Sequence, residues 1–191
     1  APDIMINNAG VARVAAFGQD DLAAFAKVLS VNLDGVIYGT HFALSRMSTS
    51  GGTIVNMASI AGHLPTAGMT SYSTSKFAVV GFSRALQAEL AMAHSPVKVC
   101  LVSPGFVKTP IMDQPGHPFP RMLAWMVSTP AQVARRIADG VAKGQPEIVP
   151  DAGGRLMKAL YAVAPGWTVK SSRVLLAKSL RQVLGLEPIR P

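Results

Sequence analysis

Three observations predict an α/β domain built on a doubly wound parallel sheet with helices on both faces. Short apolar runs alternate with longer stretches of helical periodicity. The runs are almost continuously apolar, as strands covered on both faces are. Each of the first three ends in a turn-forming group: Asn7-Asn8-Ala9-Gly10, Ala58-Ser59 and Ser103-Pro104-Gly105.

The elements follow in order. Ile4-Met5-Ile6 reads as a short buried strand. Asp20 or Asp21 can cap a helix with Leu22, Phe25, Leu29 and Leu33 among its apolar positions. That helix is expected to reach about Arg46, although Gly35 and Gly39 weaken it. Gly51-Gly52 closes the connection, and Thr53–Met57 is the second strand. After a loop holding Gly62, Pro65 and Gly68, a helix runs from about Ser71 to Ala93. Val97–Val102 is the third strand. Residues 110–128 carry prolines, Met112, Phe119, Met122, Trp125 and Met126, and read either as an apolar flap over a pocket or as a satellite core cluster. Pro130 suits the first helical position after Thr129, for a helix to about Val141, and Glu147-Ile148-Val149 is a last short strand. Arg155–Ala164 and Ser171–Leu184 are amphipathic helical patterns separated by Pro165-Gly166-Trp167. The expected division is a domain over 1–150, with its flap at 110–128, and a basic helical tail over 151–191.

Composition narrows the class. Hydrophobic residues make up 49% of the 191 residues and charged ones 15%, which excludes a disordered chain. The single cysteine, Cys100, excludes an internal disulfide framework and reads as a buried thiol in a reducing, cytoplasmic setting. His41, His63, His94 and His117 lack metal-ligand spacing, so no metal is expected. No signal-peptide pattern and no uncharged run long enough to span a bilayer are read in these residues, so neither a leader nor a membrane span is expected. Of the net +8, residues 151–191 supply +5, from seven Lys/Arg against Asp151 and Glu187. That tail reads as a solvated helix face, with peripheral contact to an anionic membrane as the rival. Nucleic acid is not expected, because the basic residues are not interleaved with aromatics. The chain opens on Ala1-Pro2-Asp3, not methionine, and enters an apolar run at once. It is therefore expected to be the later part of a longer protein.

In parallel α/β sheets ligands collect beyond the carboxyl ends of the strands. Asn7–Gly10, Ser59 and Pro104-Gly105 all follow directly after strands and so map to that one edge. Tyr72 and Lys76 are four apart on one helix face, thirteen and seventeen residues after Ser59. A cation one turn away favours the phenolate of a tyrosine whose free pKa is about 10. The pair can then exchange a proton with an alcohol or carbonyl oxygen.

Together these residues resemble the short-chain dehydrogenase/reductase family. The resemblance rests on Asn7-Asn8-Ala9-Gly10, Asn32 in Val31-Asn32-Leu33-Asp34-Gly35, Ser59, Tyr72-x-x-x-Lys76, and Pro104-Gly105 with Thr109, in that order over residues 3 to about 110. It implies a Rossmann-like fold and an NAD- or NADP-dependent oxidoreductase that interconverts a secondary alcohol and a carbonyl. By that resemblance Tyr72 is the general acid/base and Ser59 binds the reacting oxygen. Lys76 lowers the Tyr72 pKa and binds the nicotinamide ribose, and Asn32 holds a water in a relay to Lys76. Asn8, Ala9 and Gly10 line the adenosine side of the cofactor, and Pro104, Gly105, Val107 and Thr109 its nicotinamide end. His63 and Met69 are candidates for the substrate pocket. The resemblance also implies a homodimer or homotetramer formed through the helices 21–46 and 71–93. The family's opening strand, Gly-rich turn and helix have no match here; by comparison roughly eighty residues would precede Ala1. Hence the alternative reading, a non-catalytic remnant serving as an interaction or scaffold module. A membrane-bound tail would suit a lipophilic substrate, such as a steroid, retinoid or fatty-acyl carbonyl.

Overall fold

The computed structural model describes residues 2–109 and 121–170. Four parallel strands form one sheet: β1 (Ile4–Asn7), β2 (Gly52–Met57), β3 (Val97–Val102) and β4 (Glu147–Ile148), in the spatial order β1-β2-β3-β4. Asn7 lies beside Asn56, Met57 beside Val102, and Val102 beside Ile148, so the strand ends are level. The sheet is crossed by α1 (Leu22–Leu29), α2 (Gly35–Met47), α3 (Thr70–Met92) and α4 (Pro130–Ala142), and α5 (Ala152–Val163) follows β4.

Strand alternation sorts the core into two layers. Ile54, Val97, Val99 and Leu101 pack with Val36, Ala43 and Met47 of α2 and Val79 and Val80 of α3. Val55, Cys100, Val102 and Ile148 face the other way, against Ile137 and Val141 of α4. The predicted α/β sheet with helices on both faces is therefore present. The strand order advances in one direction while α4 changes face. The β3-α4-β4 crossover is thus opposite in hand to the two before it, an exception to the usual rule of uniform handedness.

The first helix differs in detail from its expectation. Asp21, not Asp20, caps it, accepting from the Ala23 N–H at 2.9 Å; Asp20 instead takes Arg13 Nε at 2.5 Å. It runs to Met47, but Ser30–Asp34 form a π-helical turn between α1 and α2, with the Gly35 N–H donating to the Ser30 carbonyl. By length and mean hydropathy (1.3), Leu22–Met47 would suffice to cross a membrane. Its inner row nevertheless belongs to the sheet: Val28, Asn32, Val36, Thr40, Ala43 and Met47 are buried at helical spacing.

A buried polar network ties four elements together near the ends of β1 and β2. Asn7 Nδ2 donates to Asn56 Oδ1 (2.8 Å) and Thr40 Oγ1 (3.1 Å), and Asn56 Nδ2 donates to Ser83 Oγ (3.0 Å). Among the described residues no buried side-chain nitrogen or oxygen lacks a partner, as a low-dielectric interior requires.

Later elements carry clear stop and start chemistry. Thr129 and Gln132 form a reciprocal capping box at α4, with Pro130 inside the first turn. Helix α5 starts three residues earlier than its periodicity suggests, because Asp151 caps it. Helical backbone resumes over 165–170, so the break falls at Ala164 instead of at Pro165-Gly166-Trp167. The expected helix Ser171–Leu184 lies outside the described residues, as do 110–120 of the expected flap. The rest of that stretch forms a 3-10 turn, Arg121–Met126, whose Met126 is buried against Gly153.

Candidate active site

Three strand ends meet at one edge, as the turn positions predicted. After β2, Ser59 stands in extended backbone and caps a short 3-10 turn, Ile60–Gly62; its Oγ accepts from the Ala61 N–H at 3.2 Å. After β3, the Pro104 carbonyl accepts from the Ile60 N–H at 2.8 Å and from Ser59 Oγ at 3.5 Å. The Ser59 and Pro104 segments are thus stitched together by main-chain geometry. The 3-10 turn also rests on α3 through Gly62, where a Cβ would come 2.5 Å from the Lys76 carbonyl oxygen.

Tyr72 lies in the first turn of α3, where unpaired N–H groups favour negative charge. Burial raises its pKa above the usual 10, and the Ser59 hydroxyl opposes that by hydrogen bonding to the phenol. Lys76, one turn on, is buried. Its Nζ lies 5.7 Å from the Tyr72 ring centroid and donates to the Met57 carbonyl at 2.8 Å. Burial brings the lysine down from 10.5 to about 8. The Lys76 ammonium thus stands beside the Tyr72 ring while bonded to a main-chain oxygen.

Asn32 sits in the π-helical turn and is fully buried. Such turns inside α-helices often mark functional positions. Its side chain makes three hydrogen bonds: Oδ1 accepts from the Val11 N–H (2.8 Å), and Nδ2 donates to the Val11 carbonyl (2.9 Å) and Ser75 Oγ (2.9 Å). Ser75 in turn donates to the Tyr72 carbonyl at 2.7 Å. Gly10 lies between Asn32 and Lys76, since a Cβ there would be 3.4 Å from Asn32 Oδ1 and 3.6 Å from Lys76 Nζ. Asn8 and Ala9 are exposed at the rim, whereas Asn7 belongs to the buried network.

The remaining expected residues follow β3. Gly105 is packed so closely that a Cβ would fall 2.5 Å from Asp151 Oδ1. Val107 bridges to Ser128, and half-buried Thr109 donates to the Val107 carbonyl at 3.2 Å. His63 does not turn toward Tyr72. Its Nε2 lies 2.9 Å from Ser103 Oγ and 3.6 Å from Glu147 Oε1. Met69 precedes α3 and pairs with Ala15. Asp151 was visible only as a charge in the tail; the Pro-Asp-x-Gly-Gly sequence before a helical pattern was its available signal. Ser75 had none beyond its place between Tyr72 and Lys76. Among the described residues no group of three His, Cys, Asp or Glu is arranged to hold a metal.

A parallel α/β domain with Asn, Ser, Tyr and Lys gathered at its carboxyl edge defines a class of nucleotide-dependent folds. Comparison makes that specific: the chain belongs to the short-chain dehydrogenase family, whose model matches residues 2–117. It is 36% identical over 155 residues to SadH of Mycobacterium tuberculosis, an alignment covering 75% of this chain and 55% of that protein. It is 37% identical over 111 residues to the NADP-dependent (R)-specific alcohol dehydrogenase of Lentilactobacillus kefiri, covering 57% and 44%. Among solved structures, a short-chain dehydrogenase from Burkholderia cenocepacia in complex with NADP superposes with a TM-score of 0.73 at 23% identity, covering 97% of this chain and 69% of that one. The chain thus spans about half the length of the curated relatives it matches.

Proposed function

We propose that the complete protein is an NAD- or NADP-dependent oxidoreductase acting on a small secondary alcohol or the corresponding carbonyl. The observation that supports this is the meeting of Ser59 and Tyr72 at the strand edge, with Lys76 one turn along the same helix. The residues present fit one end of a nicotinamide cofactor. Gly10 lets the main chain pass close beside Lys76, and Lys76 offers a cation with donors beyond the one given to Met57. When bound, the nicotinamide supplies or takes up the hydride. The chain's own residues handle the oxygen and the proton. Ser59 donates a hydrogen bond to the substrate oxygen and stabilises charge developing there. Tyr72 gives its proton to a carbonyl oxygen, or as phenolate takes one from an alcohol. Its raised pKa keeps it protonated near neutrality, the form required for the first role. In this reading Asn32, which lies with Lys76 on either side of Gly10, holds a water in a relay to Lys76.

The test is cofactor-linked absorbance with a panel of ketones and secondary alcohols, using the complete protein. Tyr72→Phe is expected to lower turnover by about 10²- to 10⁴-fold. No turnover by the wild type would favour a non-catalytic interaction module instead.

Two further features belong to this reading. Helices α2 and α3 carry exposed aromatic residues that suit a homodimer or homotetramer. Leu156, Leu160, Val163 and Trp167 are exposed on α5 and just after it, which suits peripheral membrane contact by a cytoplasmic protein and a lipophilic substrate. Co-sedimentation with anionic vesicles at low salt tests the contact, and no pelleting ends that idea.

A further inference from the structure

We propose that Asp151 is a positioning residue for Ser59, acting through the peptide plane between Pro104 and Gly105; the inference rests on the oxidoreductase reading for its catalytic consequence. Asp151 is buried, with 2% of its surface exposed. Its Oδ2 accepts from the Gly105 N–H at 2.7 Å, and its Oδ1 accepts from the Gly154 N–H at 2.5 Å. The carbonyl of that same Pro104–Gly105 peptide faces the opposite way, accepting from the Ile60 N–H at 2.8 Å, with Ser59 Oγ farther off at 3.5 Å. One rigid planar unit is therefore held on both sides, with a carboxylate on its N–H and the Ser59 segment on its C=O. If the carboxylate let go, the plane could rotate, the 2.8 Å bond from the Ile60 N–H would loosen, and the turn that holds Ser59 beside Tyr72 would no longer be fixed.

The packing allows no slack in this arrangement. A Cβ at Gly105 would lie 2.5 Å from Asp151 Oδ1, and one at Gly154 would lie 3.0 Å from it. The two glycines let two main-chain N–H groups converge on one carboxylate. Asp151 caps the N-terminus of α5, and hydrogen bonds to a carboxylate are stronger than those to a neutral acceptor. Asparagine is isosteric but has only one acceptor oxygen, so one N–H would face an NH₂ group. The effect travels from α5 to β3 to the Ser59 turn, which joins the C-terminal region to the reacting oxygen.

The experiment uses the complete protein and has three arms. In the wild type, the Gly105 amide should exchange with solvent deuterium far more slowly than a free peptide, and Asp151→Asn should accelerate it by on the order of ten- to a hundredfold. The Tyr72 phenol, followed by ultraviolet titration against a Tyr72→Phe blank, should titrate higher in Asp151→Asn, because the Ser59 hydrogen bond that lowers its pKa is displaced. Turnover should fall by about tenfold in Asp151→Asn, with the KM for cofactor unchanged. The same substitution in a Ser59→Ala background should cost less than about twofold, since the two residues act as one unit. Additive losses in the double variant, or an unmoved Tyr72 titration, would overturn the proposal. Should Asp151→Asn fail to fold, Asp151→Ser takes its place. A Gly105 amide that exchanges at the free-peptide rate in the wild type overturns the proposal without any variant. Absence of turnover in the wild type would count against the oxidoreductase reading alone, leaving exchange and titration to decide the role of Asp151.

Discussion

Lys76 places an ammonium where only 4% of the residue meets solvent. Its pKa falls from 10.5 unfolded to about 8 folded, so the unfolded chain binds more protons between those values. Stability from this group therefore rises with pH from about 8 toward 10.5, and the cost of burying the charge is fully present below 8. Cys100 works in the opposite sense, because burial raises its thiol to about 11 and stability is lost above its unfolded value of 9.0. The Lys76 effect is thus seen alone between pH 8 and 9. Relative to wild type, Lys76→Met should stabilise the protein at pH 7 by up to about 3 kcal/mol, with the difference shrinking by pH 10. Urea midpoints at several pH values measure this, and a constant difference would refute it. Glycines give a second residue-scale test. Gly39 looked like a weakness in its helix, yet a Cβ there would meet Asn7 Oδ1 at 2.1 Å, whereas one at Gly81 in α3 would meet nothing within 4 Å. Gly81→Ala should stabilise by roughly 0.5–1 kcal/mol through helix propensity. Gly39→Ala should destabilise by about 1–3 kcal/mol through overpacking, despite the same propensity gain. Thermal melts that rank the two variants the other way would refute the argument. Such contacts depend on a residue 32 positions away, so no local pattern could reveal them.

Among elements, β4 is only two residues long, yet it anchors the edge chemistry. Glu147 there pairs with Arg84 of α3 at 3.1 Å and with Lys158 of α5, and His63 approaches it from the turn that Ser59 begins. Desolvation, then the Lys158 cation, push His63 from 6.5 down to about 4, with Glu147 opposing and Arg84 assisting. His63 is therefore neutral at pH 7, and its neutral form stabilises the fold. That stability is lost as pH falls from about 6.5 toward 4. Glu147, held below 4.5 by its two cations despite burial, adds a further loss at still lower pH. His63→Gln should flatten the acid side of the stability profile by on the order of 3 kcal/mol at most. An unchanged slope between pH 6.5 and 4 would exclude His63 as its cause. Periodicity and cap chemistry made the elements readable: Thr129-Pro130 marked the start of α4, and the apolar run Val97–Val102 marked β3. The π-helical turn at Ser30–Asp34 was not readable, because its cause is tertiary: Asn32 is drawn into bonds with Val11 and Ser75.

Across the whole molecule, sequence order fixed which ends meet. Parallel strands put Asn7–Gly10, Ser59 and Pro104-Gly105 at one edge, and that much of the candidate site was legible from spacing alone. What spacing could not supply was orientation: His63 turns away to Glu147, and Asp151 turns inward from a stretch that read as a surface tail. Assembly is the remaining question at this scale. Helices α2 and α3 cover the same face of the sheet, and their outer sides expose Tyr38 (73%), Phe42 (52%) and Phe77 (42%). Tyr38 and Phe42 are one turn apart, so they form a stripe instead of isolated contacts. Aromatic side chains grouped in this way are what a standard interface of about 800 Å² per partner buries at its centre. Copies related by a two-fold axis would bring the stripe against itself, with Arg46, already over the Phe42 ring, near the contact. The complete protein should therefore be a dimer or tetramer by size-exclusion chromatography with light scattering. Phe42→Glu combined with Phe77→Glu should shift it toward monomer at micromolar concentration, because a carboxylate desolvated without a partner costs several kcal/mol. Circular dichroism should be unchanged, since both side chains point to solvent in the single chain. A wild-type monomer, or a double variant that still assembles, would show that this face is not the interface.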